Sequence, residues 1–234
     1  MCIPKETLGM KLARSNSPFI APQTFAIFYA LTGNLKFQAL LKQLVVFASG
    51  SGTNFQSIID AAERGDISAS VAGLITNKPD IGAIDRAKKH NIHFRVINPT
   101  EYTSEDEFAE ALIKQLQKWG SDLIALAGYL KKIPSAVIRE YPNRILNIHP
   151  ALLPKYGGKG FYGMNVHRAV INAAEAESGC SVHIVTEAFD EGPIIGQTKV
   201  AVQSDDTPEM LAKRILSEEH TLYPIAIQNH LKSL

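Results

Sequence analysis

Short apolar runs rich in β-branched residues alternate with segments of helical spacing along most of this chain, starting near Gln43. The pattern predicts strands at 44–49, 71–76, 93–98, 122–128, 144–149, 181–187 and 194–202. Between them it predicts helices at 55–65, 81–90, 104–119 and 134–140, one from 164, and a last one from Pro208 towards Ile227. Because a crossover helix joins parallel neighbouring strands, we expect an α/β fold, a doubly wound and mostly parallel sheet with helices on both faces.

Composition narrows the classes of protein to which the chain can belong. Its 24 Lys and Arg against 23 Asp and Glu give a formal charge of +1, which argues against nucleic acid as a partner. Two cysteines, Cys2 and Cys180, make neither a disulfide framework nor a zinc site, so we expect a reduced, cytoplasmic environment and no metal. No apolar run reaches about 18 residues, and we therefore expect no membrane segment.

Residues 1–43 differ from the rest and are predicted to be an N-terminal extension outside the folded domain, which we place at 44–234. The extension has one acidic residue, Glu6, against five Lys or Arg, and no clean helix or strand period. Three interpretations remain open: a signal or transit peptide, an added structural arm, or a start site assigned too far upstream. The third is the one we favour.

The stretch ILNIHPALLP at 145–154 places two polar side chains at the end of a predicted strand. Residues two apart on a strand share a face, so Asn147 and His149 project together from the carboxyl end of the sheet, where open α/β sheets bind ligands. An amide can donate to a developing oxyanion, and an imidazole can move a proton near neutral pH. The alternative is a buried, hydrogen-bonded histidine beside a turn asparagine.

A glycine-rich turn, GSGTN at 50–54, follows the first predicted strand and precedes a helix. Such a turn points backbone N–H groups at the helix N-terminus, where an anion can bind. Gly50 and Gly52 allow close approach, and Thr53 and Asn54 add donors. Phe55 replaces the third glycine of a dinucleotide site, and no Lys follows as in a P-loop, so the turn suits one phosphate. A bare tight turn is the alternative.

Two further segments are candidates for the same edge of the sheet. AGYLKKI at 127–133 follows the fourth strand, and its Leu130 and Ile133 are predicted to line a flat apolar slot, unless it is a plain strand-to-helix connection. Asp190 lies in a loop beside Gly192, where it is either a turn residue or a carboxylate that favours the imidazolium form of His149. His183, on the strand before it, is predicted to be a packing or supporting residue.

Five stretches together resemble one family. They are GSGTN at 50–54, LAGYLKKIP at 126–134, ILNIHPALLPKYGG at 145–158, HIVTEAFDEGP at 183–193 and SEEHTLYP at 217–224. The set is similar to the folate-dependent formyltransferase family and, within it, to the phosphoribosylglycinamide (glycinamide ribonucleotide) formyltransferases. The resemblance covers roughly residues 41 to 230. It implies a single Rossmann-like catalytic domain, active in the cytoplasm on small molecules as a monomer or homodimer.

The resemblance also implies a reaction and the residues that serve it. The amine of glycinamide ribonucleotide attacks the formyl group of 10-formyltetrahydrofolate, the cosubstrate, in purine biosynthesis, and no metal takes part. Asn147 and His149 would stabilise the oxyanion, and His149 would move protons. Asp190 would raise the pKa of His149. The ribonucleotide would contact Gly52, Thr53, Asn54 and Glu219. The folate would contact Leu130, Lys131, Lys132, Ile133, Asn147 and Asp190.

The chain departs from the family pattern in two places. Glu105 stands where many relatives carry an Arg that contacts the folate tail, so the resemblance does not fix the preferred number of glutamates. An insertion around Lys159 to Met164 lengthens the loop after the catalytic strand. The rival functions are methionyl-tRNA formyltransferase, formyltetrahydrofolate deformylase and a folate- or phosphate-binding protein without turnover.

Overall fold

The computed structural model describes residues 41–234. Seven strands lie in this part of the chain: β1 (Lys42–Ala48), β2 (Ala69–Thr76), β3 (Phe94–Val96), β4 (Leu123–Leu126), β5 (Ile145–His149), β6 (Glu177–Ile184) and β7 (Ile194–Ala201). Six α-helices lie there as well: α1 (Thr53–Arg64), α2 (Gly82–Lys89), α3 (Glu105–Lys118), α4 (Ser135–Glu140), α5 (Met164–Asn172) and α6 (Pro208–Leu231).

The strands form one sheet in the order β3-β2-β1-β4-β5-β6-β7. The first five strands in sequence are parallel, and β6 and β7 extend the sheet with antiparallel pairings beside β5. The chain adds β2 and β3 on one side of β1 and then crosses to add β4 and β5 on the other side. Doubly wound sheets bind ligands at such a switch point, which here lies between β1 and β4. The predicted fold class, an α/β, doubly wound and mostly parallel sheet, is confirmed.

The first strand shows why the sheet is covered on both faces. Leu44, Val46 and Ala48 belong to the core cluster that packs against α1, α2 and α6. Val45 and Phe47, which alternate with them, belong to the second cluster, built with residues of α3 and α4. All five side chains are fully buried, so the apolar run in the sequence reflects a strand with no solvated face.

The last helix, α6, completes the core from one side of the sheet. Its Tyr223 is fully buried, and the hydroxyl oxygen lies 3.0 Å from the carbonyl oxygens of both Leu126 and Leu146. One phenolic proton is therefore shared between the end of β4 and the start of β5. This contact fixes α6 against the two strands whose carboxyl ends face the cleft.

Element boundaries differ from the sequence prediction where pairing, not local pattern, decides them. β1 begins at Lys42, inside the predicted extension, because it pairs with β2 from that residue. β6 begins at Glu177 rather than 181, since its antiparallel partner β7 extends that far. α6 continues through Pro224 to Leu231. Apart from 41–43, the predicted extension over 1–43 lies outside the described residues. None of the described helices is long and apolar enough to span a membrane.

Candidate active site

The strand β5 carries two polar side chains into the cleft, as its alternating pattern predicts. Leu146 and Ile148 pack into the core cluster beneath α6, whereas Asn147 and His149 line a cleft of about 710 Å³. Asn147 lies opposite His183 in the antiparallel register with β6. His149 is only 4% exposed.

Asp190 joins this group from the loop between β6 and β7. Its Oδ2 accepts a hydrogen bond from the Gly158 backbone N–H at 2.9 Å and lies 3.7 Å from His149 Nδ1. Its Oδ1 accepts from Asn147 Nδ2 at 3.4 Å and lies 3.4 Å from His183 Nε2. The amide, the imidazole and the carboxylate therefore meet in one place. Burial acts to raise the pKa of Asp190, but the nearby imidazoles of His183 and His149 and the Gly158 N–H outweigh burial and leave the pKa below its usual value.

The ring of His149 has an oxygen beside each nitrogen. Nε2 donates to the Tyr156 carbonyl oxygen at 2.8 Å, which leaves the lone pair of the neutral ring on Nδ1, on the side of Asp190. Burial lowers the pKa of His149, while Asp190 and the Tyr156 carbonyl act to raise it. Asp190 therefore acts to raise the pKa of His149, as the sequence predicts, but burial lowers this pKa by more, so the net shift is downward. The ring is thus neutral near pH 7 and can accept a proton at Nδ1.

The glycine-rich turn lies between β1 and α1 and forms part of the cleft wall. Gly52 adopts φ 72°, and a Cβ there would lie 2.7 Å from the Ala83 Cβ, so only glycine fits. Gly52 itself does not line the cleft, whereas Ser51, Thr53 and Asn54 do. The structure therefore places two of the three predicted loop contacts at the cleft and assigns Gly52 the shaping of the turn.

A buried pair links this turn to α6. Asn54 Nδ2 donates to Glu219 Oε2 at 2.7 Å, and the Asn54 Oδ1 is buried with no partner among the described residues. Glu219 is 6% exposed, and burial raises its pKa to about 7, although the bond from Asn54 acts to lower it. A polar pair of this kind at the cleft wall is suited to binding hydroxyl groups.

The raised pKa of Glu219 predicts a pH-dependent stability. An acid whose folded pKa lies above its unfolded value of 4.5 stabilises the fold at low pH, and this contribution is lost as pH rises through about 7. Glu219→Gln removes the titration. Between pH 4.5 and about 7, the free energy of unfolding of the wild type should therefore fall relative to that of the variant, by about 1.4 kcal/mol per pH unit. Denaturant unfolding of both proteins at pH 5 and pH 8 measures this, and an unchanged difference contradicts it.

The segment after β4 forms another wall of the cleft. Leu130, Lys131, Lys132 and Ile133 all line it, and Leu130 is 55% exposed whereas Ile133 is buried. The Leu130 backbone N–H donates to Ser49 Oγ at 3.0 Å, which fixes the segment to the end of β1. Lys131 and Lys132 also line a second cavity of about 420 Å³, as does Glu105.

Several cleft residues were not predicted from the sequence. His167 on α5 is buried, its Nδ1 has no partner among the described residues, and burial with the nearby His149 lowers its pKa to about 4. Tyr129 and the inserted segment 159–163 also line the cleft. A histidine one helical turn after a glycine-rich loop was the available signal for His167. Nothing in the local sequence marks the Tyr156 carbonyl as the acceptor for His149. Among the described residues, no group of three or more His, Cys, Asp or Glu is placed to hold a metal.

Fold and site together define the class of this protein: a Rossmann-like α/β enzyme with an amide, an imidazole and a carboxylate at the carboxyl edge of its sheet. The chain belongs to the formyl transferase family, whose model matches residues 42–227. The family predicted from the motifs is confirmed.

Named relatives narrow the match. Phosphoribosylglycinamide formyltransferase of Escherichia coli is 35% identical over 184 residues, which are 79% of this chain and 84% of that protein. The chloroplastic phosphoribosylglycinamide formyltransferase of Arabidopsis thaliana is 45% identical over 183 residues, 78% of this chain and 63% of the plant protein, so the chain spans less than two thirds of that relative. The crystal structure of glycinamide ribonucleotide transformylase 1 from Symbiobacterium toebii superposes with a TM-score of 0.78 at 39% identity, covering 82% of this chain and 89% of that one.

Proposed function

We propose that this protein transfers the formyl group of 10-formyltetrahydrofolate to the amine of glycinamide ribonucleotide, giving formylglycinamide ribonucleotide and tetrahydrofolate in purine biosynthesis. The observation that carries the proposal is one continuous cleft, whose lining includes both the turn at Thr53 and Asn54 and the segment from Leu130 to Ile133. Asn147, His149 and Asp190 lie in the same cleft. The names of the relatives in E. coli and A. thaliana support the choice of acceptor.

The reaction needs an oxyanion partner and a proton carrier. The amine nitrogen bonds to the formyl carbon, a tetrahedral intermediate forms, and the bond from that carbon to N10 of the folate breaks. The amine loses one proton and N10 gains one, so the net proton balance is zero. His149, neutral and open at Nδ1, takes the proton, and the adjacent Asp190 carboxylate stabilises the imidazolium that results.

The two substrates are assigned to two different parts of the cleft wall. The phosphate is proposed to bind at the turn, where Gly52 allows close approach and Thr53 and Asn54 lie at the start of α1. The ribose hydroxyls are proposed to bind at Glu219. The pterin is proposed to lie against Leu130 and Ile133, with polar contacts to the backbone of Lys131 and Lys132 and to the side chains of Asn147 and Asp190. The folate tail then points towards the second cavity, where Glu105 faces the two lysines.

A single assay tests the proposal. Purified protein given both substrates should release tetrahydrofolate in step with formylglycinamide ribonucleotide, and omission of the ribonucleotide should abolish release. Formate released from the folate alone would identify a deformylase and contradict the proposal. Binding of both substrates without turnover would leave only a binding protein, which contradicts it as well.

The turn at 50–54 can be tested without disturbing the fold. Thr53→Val keeps the β-branched shape and removes one hydroxyl, so the Michaelis constant for the ribonucleotide should rise roughly 10- to 100-fold, as for a hydrogen bond to a charged group. The constant for the folate should not change. Gly52→Val is less suitable, because its side chain would contact Ala83 and lower stability as well. An unchanged ribonucleotide constant in Thr53→Val would remove this hydroxyl from the phosphate site.

We also propose a cytoplasmic location and a monomer or homodimer. The small number of cysteines supports the cytoplasmic location. Import into an organelle is the alternative, since the plant relatives carry the word chloroplastic in their names and residues 1–43 are poor in acidic residues. N-terminal sequencing of the native protein decides between a processed leader and a retained segment. Sedimentation of the purified enzyme gives the assembly state.

A further inference from the structure

His183 makes two hydrogen bonds that fix which of its nitrogens carries the proton. Nδ1 lies 3.1 Å from the Ile184 carbonyl oxygen, which can only accept, so Nδ1 is the donor. Nε2 of the neutral ring is then an acceptor, although Asp190 Oδ1, which can also only accept, lies 3.4 Å from it, because the contact with Asn147 is the shorter one. Nε2 lies 3.0 Å from Asn147 Nδ2, which can only donate. The ring therefore has one tautomer in the neutral state, and its free lone pair is directed at the Asn147 amide.

The Asn147 amide is consequently held in one orientation. One N–H points at His183 Nε2, and the other lies 3.4 Å from Asp190 Oδ1, a long and weak hydrogen bond. Rotating the amide by 180° would place its carbonyl oxygen against both the Asp190 carboxylate and the lone pair of His183. The Asn147 Oδ1 makes no hydrogen bond with the described residues, and its side chain lines the cleft.

His183 is itself rigidly placed. It is 2% exposed and lies on β6, directly opposite Asn147 in the antiparallel pairing with β5. Its side chain thus reaches the amide from within the sheet, without involving the loop that carries Asp190. An acceptor mounted on a strand that is paired on both sides is a more precise support than one mounted on a loop.

We propose that His183 is a positioning residue for the transfer reaction, which rests on the function proposed above. By taking one N–H of Asn147, it aims the second N–H at the reacting centre, where only the long bond to Asp190 competes for it. It also leaves the Asn147 carbonyl oxygen facing the cleft, where an incoming amine can donate to it. The hydrogen bond from Asn147 Nδ2 to His183 thus fixes the direction of both the NH₂ group and the carbonyl oxygen of the Asn147 amide, and His183 does so without contacting the substrates.

Two variants of nearly equal shape separate this role from packing. His183→Gln keeps one acceptor and one donor, whereas His183→Met fills a similar volume and has neither. We expect His183→Met to lower the turnover number roughly 10- to 100-fold, with Michaelis constants for both substrates within about threefold of wild type, because a misaligned group costs rate more than binding. His183→Gln should recover most of the loss. Equal losses in the two variants would show a packing role and overturn the proposal.

Nitrogen-15 NMR of the wild-type protein gives a test that does not depend on variants or on activity. We expect His183 to be protonated at Nδ1 and unprotonated at Nε2, and the Asn147 side-chain NH₂ signal, assigned by its loss in Asn147→Asp, to shift in His183→Met. A proton found on Nε2 would overturn the proposal. If wild type fails to formylate the ribonucleotide, the proposed function fails, and the tautomer still decides whether His183 holds the amide.

Discussion

Replacing His149 by alanine is expected to lower the turnover number by about 10²- to 10⁴-fold, which is the usual contribution of a positioned proton carrier. His149 is buried and neutral, and its Nδ1 lies beside Asp190, where the proton is proposed to be taken. The Michaelis constants should change far less than the turnover number, because the imidazole is assigned to the reacting centre and not to the phosphate or pterin. Steady-state kinetics with each substrate varied in turn provides the measurement.

His230→Ala is a matched control for this variant. His230 donates from Nε2 to the Asn143 carbonyl oxygen at 2.7 Å, the same kind of bond as that from His149 to Tyr156, but it does not line the cleft. Its removal should leave turnover unchanged. Parallel losses of rate and of substrate binding in His149→Ala, accompanied by a lower melting temperature, would point to misfolding and contradict the assigned role.

Asp190→Asn is expected to have an effect of similar size, about 10²-fold or more in turnover, and to change the pH profile in a defined direction. The carboxylate acts to raise the pKa of His149, so its neutralisation should lower that pKa further. The acid limb of kcat/KM, which reports protonation of the free enzyme, should move to lower pH. The amide must also turn an N–H either to Gly158 or to Asn147, which disrupts the cluster.

Asp206→Asn serves as the comparison for Asp190→Asn. Asp206 likewise accepts a backbone N–H, from Gln203 at 2.8 Å, and pairs with Arg214 away from the cleft. The Asp206→Asn variant should be less stable than wild type, while its turnover number and the pH of the acid limb of kcat/KM stay unchanged. An acid limb that moves to higher pH in Asp190→Asn, or does not move, would contradict the coupling of Asp190 to His149.

Much of the fold was predictable because it depends on local pattern. The apolar runs and helical spacing mark the strands and helices, and the period of two on β5 places Asn147 and His149 on one face before any contact is known. The capping box of α3 is similar: Ser104 accepts from the Glu107 N–H at 3.1 Å, as its sequence predicts. Such features need information from only a few neighbouring residues.

What could not be predicted depends on residues far apart in the sequence. The net pKa of His149 follows from how deeply α5 and the loop near Gly158 bury it, and a sequence gives the presence of Asp190 but not that depth. The start of β6 follows from the length of β7, its partner. The role of Gly52 follows from Ala83, which reaches the turn only when α2 packs beside α1.

The pair formed by Asn54 and Glu219 has a further consequence for how this domain assembles. Its members are 165 positions apart, so the proposed sugar-binding surface does not exist until α6 has docked on the sheet, a step in which Tyr223 also bonds to the end of β4 and the start of β5. A ligand that bridges α1 and α6 thus recognises only the fully closed domain. The binding free energy of such a ligand adds to the free energy of global unfolding and not to that of a local opening. If the ribonucleotide binds as proposed, a saturating concentration is therefore expected to protect both ends of the domain together.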